Sequence, residues 1–282
     1  MPAALWKIDG ETHDLSARAM IMGVVNVTPD SFSDGGQFFD RQAAIDHGLQ
    51  LLAEGADVID VGGESSRPGA ELISAEEEMR RVIPVVEALS EAGARVSIDT
   101  SKAPVAAAAL DAGAVIINDI TGGRGDNEML PLAARRRAAL IIMHMQGTPR
   151  TMQDAPHYDD VAGEVGDFFR QQYARAVESG LEATAIAFDP GIGFGKTLDH
   201  NLQLLRNLPR LRLDDRPLIV GVSRKAFLGK MIGSSAMSDR AAPTIAFTGL
   251  LRERGANVLR VHDVKQNREA LRTAEAFLAA SK

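Results

Sequence analysis

Short apolar runs along this chain end repeatedly in a polar side chain: Asn26, Glu64, Asp99, Asn118, His144, Asp189, Ser223 and Arg260. Asp99, Asn118 and Asp189 suit the edge of a flat, nitrogen-rich ring. A carboxylate accepts from a guanidine-like N–H edge, and an amide serves either as donor or as acceptor. Lys225, Arg260 and His262 add cations or N–H donors, which suit an anion such as a diphosphate. Any one of these residues could simply end a strand or cap a helix. The mixture of amides, carboxylates and cations at equivalent positions describes one binding mouth, with a ring ligand at its floor and a phosphate at its rim.

The glycine-rich segment Asp189-Pro190-Gly191-Ile192-Gly193-Phe194-Gly195-Lys196-Thr197 resembles a phosphate-binding loop only at its end. The P-loop needs its first glycine where Pro190 stands, and the dinucleotide fingerprint needs its third glycine one residue later. A loop that brings backbone close to a ring, with Phe194 packing on that ring, fits better. The sequon at Asn26 and the tripeptide Arg124-Gly125-Asp126 are chance matches for a chain expected to stay in the cytoplasm.

That expectation comes from composition. The N-terminus lacks a charged leader followed by an apolar core, and no apolar run approaches the ~18 residues of a membrane span. The absence of cysteine excludes a thiol nucleophile and any Cys-ligated metal. A net charge of −7 argues against nucleic acid as a partner. A local cluster of cations can still hold a small anion.

The elements that must position these residues alternate. Apolar runs at 20–25, 57–61, 95–98, 115–117, 140–143, 186–188, 218–220 and 257–261 read as strands buried on both faces. Helical patterns lie between them, at 41–54, 74–90, 103–112, 127–137, 160–179, 199–207, 241–254 and 264–280. Asp40 is the expected N-cap of the first, Ser74 to Glu77 a capping box for the second, and Pro84 a kink in it. Eight strand–helix units predict a single α/β domain over residues 1–282, a (β/α)8 TIM barrel, with an open doubly wound sheet as the alternative. Asp9-Gly10, between Leu5–Ile8 and Thr12–Leu15, predicts a short N-terminal β-hairpin closing the bottom of the barrel. In such a barrel the strand ends above form one mouth.

The motifs themselves resemble those of the dihydropteroate synthase family. The segment from Met22 to Gly36, containing Asn26-Val27-Thr28-Pro29-Asp30-Ser31-Phe32-Ser33-Asp34, is similar to the family's first signature. Asp60-Val61-Gly62-Gly63-Glu64-Ser65-Ser66-Arg67-Pro68-Gly69 is similar to its second. Ile98 to Lys102, Asn118-Asp119-Ile120, Met143 to Gly147, Asp189 to Lys196, Ser223-Arg224-Lys225 and Arg260 to Val264 follow in family order. The resemblance implies a homodimeric transferase of folate biosynthesis and a sulfonamide target. It would condense 6-hydroxymethyl-7,8-dihydropterin diphosphate with p-aminobenzoate, with diphosphate as the leaving group and Mg²⁺ as cofactor.

Carried over residue by residue, the pterin would meet Asp99, Asn118, Met143, Asp189, Phe194, Gly221 and Lys225, with Arg260 over the ring. Diphosphate would meet Asn26, Ser66, Arg260 and His262, and Asn26 would hold the Mg²⁺. The aminobenzoate would sit among Phe32, Ser66, Arg67, Pro68, Ser223 and Lys225. Asp34 would stabilise the cation formed as diphosphate leaves, so Asp34, Lys225, Arg260 and His262 form the catalytic set. Two positions depart from the pattern: Ser66 stands where the family usually has Thr, and Ala226 where many members have Ser. A methyltetrahydrofolate-dependent methyltransferase would keep equivalents of Asp99, Asn118 and Asp189 but would not need the loops around Phe32 and Arg67. A silent pterin-binding homologue would not need Lys225, Arg260 and His262 together.

Overall fold

The computed structural model describes residues 3–28, 36–65, 69 and 71–280, with the side chains of 36–40 excepted. It begins with a hairpin, β1 (Leu5–Ile8) and β2 (Glu11–Asp14), paired antiparallel with Ile8 opposite Glu11. The turn residues Asp9 and Gly10 have φ of 49° and 78°. Two positive values are what a two-residue type I′ turn requires, and Asp-Gly supplies them.

Eight strands follow: β3 (Met20–Asn26), β4 (Val58–Gly62), β5 (Val96–Asp99), β6 (Ile116–Asp119), β7 (Ala139–Met143), β8 (Ile186–Asp189), β9 (Ile219–Val220) and β10 (Val258–Val261). They pair in parallel in the order β8-β7-β6-β5-β4-β3-β10-β9. A parallel bridge from Phe188 to Leu218, with Phe188 N–H donating to Pro217 O at 2.9 Å, joins the two ends. The sheet is therefore a barrel rather than an open doubly wound sheet. The helices are α1 (Gly36–Ala53), α2 (Ala75–Glu91), α3 (Ala103–Asp111), α4 (Met129–Arg136), α5 (Val161–Glu178), α6 (Leu198–Arg206), α7 (Ala226–Ile232), α8 (Ala241–Glu253) and α9 (Val264–Ala280). The short α7 is an addition to the expected helices.

Side-chain caps set the starts of α2, α5 and α6. Ser74 Oγ accepts from Glu77 N–H at 3.2 Å, and three glutamates in the first turn of α2 face its positive end. Pro84 sits inside α2, and the helix continues past it to Glu91. Asp160 caps α5 through Ala162 N–H. Asp40 is not an N-cap, because α1 already begins at Gly36. None of the helices of the described residues is long and apolar enough to cross a membrane.

The strand period of two sorts the side chains. Ile21, Ile59, Ile98, Ile117, Leu140 and Phe188 point outward into the layer beneath the helices. Met22, Val58, Ile116, Ile141, Ala187 and Val258 point inward, where they meet Trp6, Ile8 and Leu15 of the hairpin. Trp6 is fully buried there, and its Nε1–H donates to Ala185 O at 3.2 Å. The hairpin therefore closes the N-terminal end of the barrel, as expected. The same inward face, two or four residues further along each strand, carries Asn26, Asp60, Asp99, Asn118, Asp189 and Arg260. In a TIM barrel this C-terminal end is where chemistry is built.

Candidate active site

Arg260 organises the floor of the mouth. Its Nε donates to Asp60 Oδ2 at 2.6 Å and its Nη2 donates to Asp99 Oδ2 at 2.8 Å. Asn118 Nδ2 donates to the same Asp60 oxygen at 3.0 Å. Four strands thus place one guanidinium, two carboxylates and an amide in a single bonded group. The two acids hold the guanidinium in its charged form, against its own burial. Burial pushes the Asp99 carboxyl up to about 7, with Arg260 opposing the shift and Asp60 adding to it. Among the described residues two of the five guanidinium N–H groups are used, which leaves three for a ligand.

A second group lies at the end of β8. Asp189 is buried and accepts from Gly191 N–H at 2.7 Å. Burial raises its pKa, while the Lys225 charge opposes the rise. Lys225 donates to Ile192 O and stands 4.8 Å from the centre of the Phe194 ring. Burial pushes Lys225 down to about 8. Met143, Met145 and Met152 pack with Phe194 and Ile120 to form an apolar wall beside these charges. Gly221 lies under Arg260, where a Cβ would stand 3.5 Å from the arginine Cβ.

The glycines of this loop are needed for close approach. Gly191 has φ +64°, and a Cβ there would stand 1.9 Å from His144 O. Gly195 has φ +60°, and a Cβ would stand 2.5 Å from Gln146 O. The loop therefore lies directly on the backbone that follows β7. Lys196 pins it from below: its Nζ donates to Phe194 O at 2.9 Å and lies 3.0 Å from His144 Nδ1. Burial lowers the pKa of Lys196 well below its ordinary value.

At the rim, Ser223 Oγ accepts from His262 N–H at 3.1 Å and lies 3.0 Å from His262 Nδ1. The assignment that uses each group once has the hydroxyl donate to Nδ1, which leaves a proton on Nε2. Burial and Arg260 push His262 down to about 3. His262 is therefore a neutral N–H donor near pH 7, not a cation. Arg224, with φ 58°, pairs with Asp263. Asn26 ends β3 at the same level, next to Gly62 of β4.

Among the described residues, no cluster of three or more His, Cys, Asp or Glu side chains could hold a metal. Asn26 offers one hard amide oxygen. Mg²⁺ keeps several waters and prefers phosphate oxygens over an all-protein cage. The donor set thus fits a Mg²⁺ that arrives with diphosphate.

The structure brings together Asp99, Asn118, Asp189 and Arg260 inside the mouth, with Lys225, Phe194 and Met143 as one wall. Two expected strand-end residues belong elsewhere. Glu64 bonds Lys102 at 2.6 Å and Ile73 N–H at 3.1 Å. His144 bonds Lys196 and packs edge-on against Phe168, with ring centres 5.0 Å apart. Phe32, Asp34, Ser66, Arg67 and Pro68 lie outside the described residues. The residues missed from sequence are Asp60 and Lys196. A lone carboxylate inside Val58-Ile59-Asp60-Val61 was itself a signal, because a buried acid needs a partner.

A family model described as pterin binding enzyme matches residues 22–262 of this chain. The dihydropteroate synthase of Escherichia coli (strain K12) is 44% identical over 272 residues, covering 96% of this chain and 95% of that protein. The solved structure of Yersinia pestis dihydropteroate synthase with a sulfonamide drug has a TM-score of 0.91 at 42% identity, covering 98% of this chain and 99% of its own. That of Xanthomonas albilineans dihydropteroate synthase with 4-aminobenzoic acid has a TM-score of 0.91 at 43% identity, with the same 98% and 99% coverage.

Proposed function

The chain belongs to the pterin-binding enzymes and, among them, to the dihydropteroate synthases, and from that premise we propose how its residues carry the reaction. The reaction is the condensation of 6-hydroxymethyl-7,8-dihydropterin diphosphate with p-aminobenzoate, a transfer step of folate biosynthesis that yields 7,8-dihydropteroate and diphosphate. The bonded group of Asp60, Asp99, Asn118 and Arg260 carries the assignment of roles. It is a preformed reader for a flat ring at the end of the molecule where this fold binds ligands.

Asp99, Asn118 and Asp189 read the N–H edge of the pterin. Met143, Phe194 and Gly221 pack on it, and Lys225 donates to its acceptor side. Arg260 lies over the ring and offers its remaining N–H groups to the diphosphate, together with His262, Asn26 and Ser66. Asn26 would hold a Mg²⁺, which would supply positive charge to the leaving diphosphate. Arg260 and the Nε2–H of His262 stabilise the charge that the leaving group takes with the electron pair of the broken C–O bond. The positive charge left on the methylene spreads into the ring, and stabilising it is the role assigned to Asp34. The aminobenzoate nitrogen attacks that carbon and loses a proton. Phe32, Ser66, Arg67, Pro68, Ser223 and Lys225 hold this second substrate, and sulfonamides occupy the same place. The active species is a cytoplasmic homodimer. Steady-state kinetics on Arg67→Ala test the division of the mouth. The aminobenzoate KM rises and the pterin KM stays within about twofold; the reverse pattern would exchange the two subsites.

A further inference from the structure

Asp60 is fully buried in the middle of β4, and one of its oxygens takes bonds from two residues of the mouth. The other oxygen, Oδ1, is buried and has no hydrogen-bond partner among the described residues. A half-satisfied buried carboxylate lowers stability, and a well-packed apolar residue would suit the barrel interior better. Asp60 is thus a poor core residue, and its bonds indicate what it does instead.

We propose that Asp60 is a positioning residue that decides which end of the Asn118 amide faces the ligand. Arg260 donates only, so the Asp60 oxygen facing its Nε at 2.6 Å must be an acceptor. An oxygen already accepting from a guanidinium can take a further bond only from a donor. The sole part of the Asn118 side chain that can bond to it is the Nδ2 amino group, found there at 3.0 Å. The carbonyl Oδ1 must then point the other way. An asparagine that could either donate or accept becomes a fixed acceptor, matched to a ligand N–H and mismatched to a bare ring nitrogen. The strand register supports this division of labour. Asp60 pairs in register with Ser97, whereas Asp99, two residues further along β5, pairs with Asn118. Asp60 therefore sits one inward layer beneath Asp99 and Asn118, so it touches the readers and not the ligand. Arg260 is held by Asp60 on one side and Asp99 on the other, so its Nε stays aimed at the oxygen that Asn118 also faces.

The proposal rests on the reading of Asn118 as a pterin-facing residue, and a double-mutant cycle separates the two. The variants are Asp60→Asn, Asn118→Ala and the pair, with pterin KM, aminobenzoate KM and thermal midpoint measured for each. Asn118→Ala raises the pterin KM; no change would remove Asn118 from the site and the proposal with it. Asp60→Asn frees the amide to turn, and raises the pterin KM about tenfold with the aminobenzoate KM within about twofold. In the Asn118→Ala background the same substitution costs about threefold or less, because its route is already gone. An equal cost in both backgrounds would overturn the proposal, since a merely structural role is additive. So would an unchanged pterin KM in Asp60→Asn alone. Side-chain amide exchange in the wild-type protein, assigned with Asn118→Ala, is a test that needs no folded Asp60 variant. The Asn118 amino hydrogens exchange slowly if they face Asp60, and rapid exchange would overturn the proposal.

Discussion

The two ends of this barrel are built from the same eight strands, and they are opposites. At the N-terminal end the inward side chains Met20, Met22, Val58, Ile116, Ala139, Ile141, Ala187, Ile219 and Val258 are apolar, and Trp6, Ile8 and Leu15 of the hairpin seal it. At the C-terminal end, one turn of the inward alternation later, Asp60, Asp99, Asn118, Asp189 and Arg260 occupy the equivalent positions. The first end gains stability from burial. The second holds charges in a buried setting, with Asp99 and Asp189 pushed up and Lys225 pushed down. Those shifts are stability given up for a surface that reads a ligand. If that division is right, substitutions at the two ends must fall into separate classes.

The largest expected effect lies at the closed end. Trp6→Ala removes a fully buried indole and its bond to Ala185 O, which costs ~3–5 kcal/mol of stability. Urea melts would register that loss, while kcat/KM per folded molecule stays at the wild-type value. A loss of kcat/KM with intact stability would break the comparison.

The open end should show the reverse coupling, and pH reveals it. The Lys225 pKa sits at about 8 in the folded protein, below its ordinary 10.5. Between those values the unfolded chain binds more protons than the native one, so this group makes stability rise with pH across that window. Over the same window the ammonium is lost from the site. The kcat/KM for the pterin substrate then falls by about tenfold per pH unit above pH 8. Lys225→Met removes both limbs. A wild-type profile in which rate and stability move together above pH 8 would contradict the assignment.

Much of this division was legible in the sequence. Apolar runs gave the eight strands to within a residue or two, because a strand buried on both faces has little choice of residue. Asp9-Gly10 gave the hairpin and its place. Period two was the part left unused. Met143 points inward, so His144 beside it points out, to Lys196. Applied to β4, the same alternation puts Asp60 inward with Val58 and Gly62. Asp60 escaped notice because it precedes the strand end, and its role depends on Arg260, 200 residues away. Asp40 misled because a good capping residue says where a helix can begin, not that it cannot begin earlier. The loop residues Phe32, Asp34, Ser66, Arg67 and Pro68 come from motif likeness alone, with no strand pattern to fix them.

Smaller effects sharpen the picture of the rim. Ala226→Ser adds a hydroxyl at the first residue of α7, and a hydrogen bond to the aminobenzoate carboxylate contributes ~1.5–3 kcal/mol. The aminobenzoate KM should fall and the pterin KM should hold. Ser66→Thr adds one methyl, worth ~0.8 kcal/mol, and lowers the aminobenzoate KM only a few-fold. Steady-state kinetics on both variants rank them; a larger gain from Ser66→Thr would move the carboxylate away from α7.

The most direct measurement pairs binding with stability in Asp189→Asn. This substitution neutralises a buried carboxylate at the open end without changing its shape. Losing a charge-assisted bond to the pterin costs ~2–5 kcal/mol of binding, so calorimetry with a pterin analogue should show affinity falling by at least ~30-fold. Burial already raises the pKa of this acid, so the thermal midpoint of the variant should equal or exceed that of the wild type. Unchanged affinity, or lost affinity only in step with lost stability, would contradict the division of the barrel into a stabilising end and a binding end.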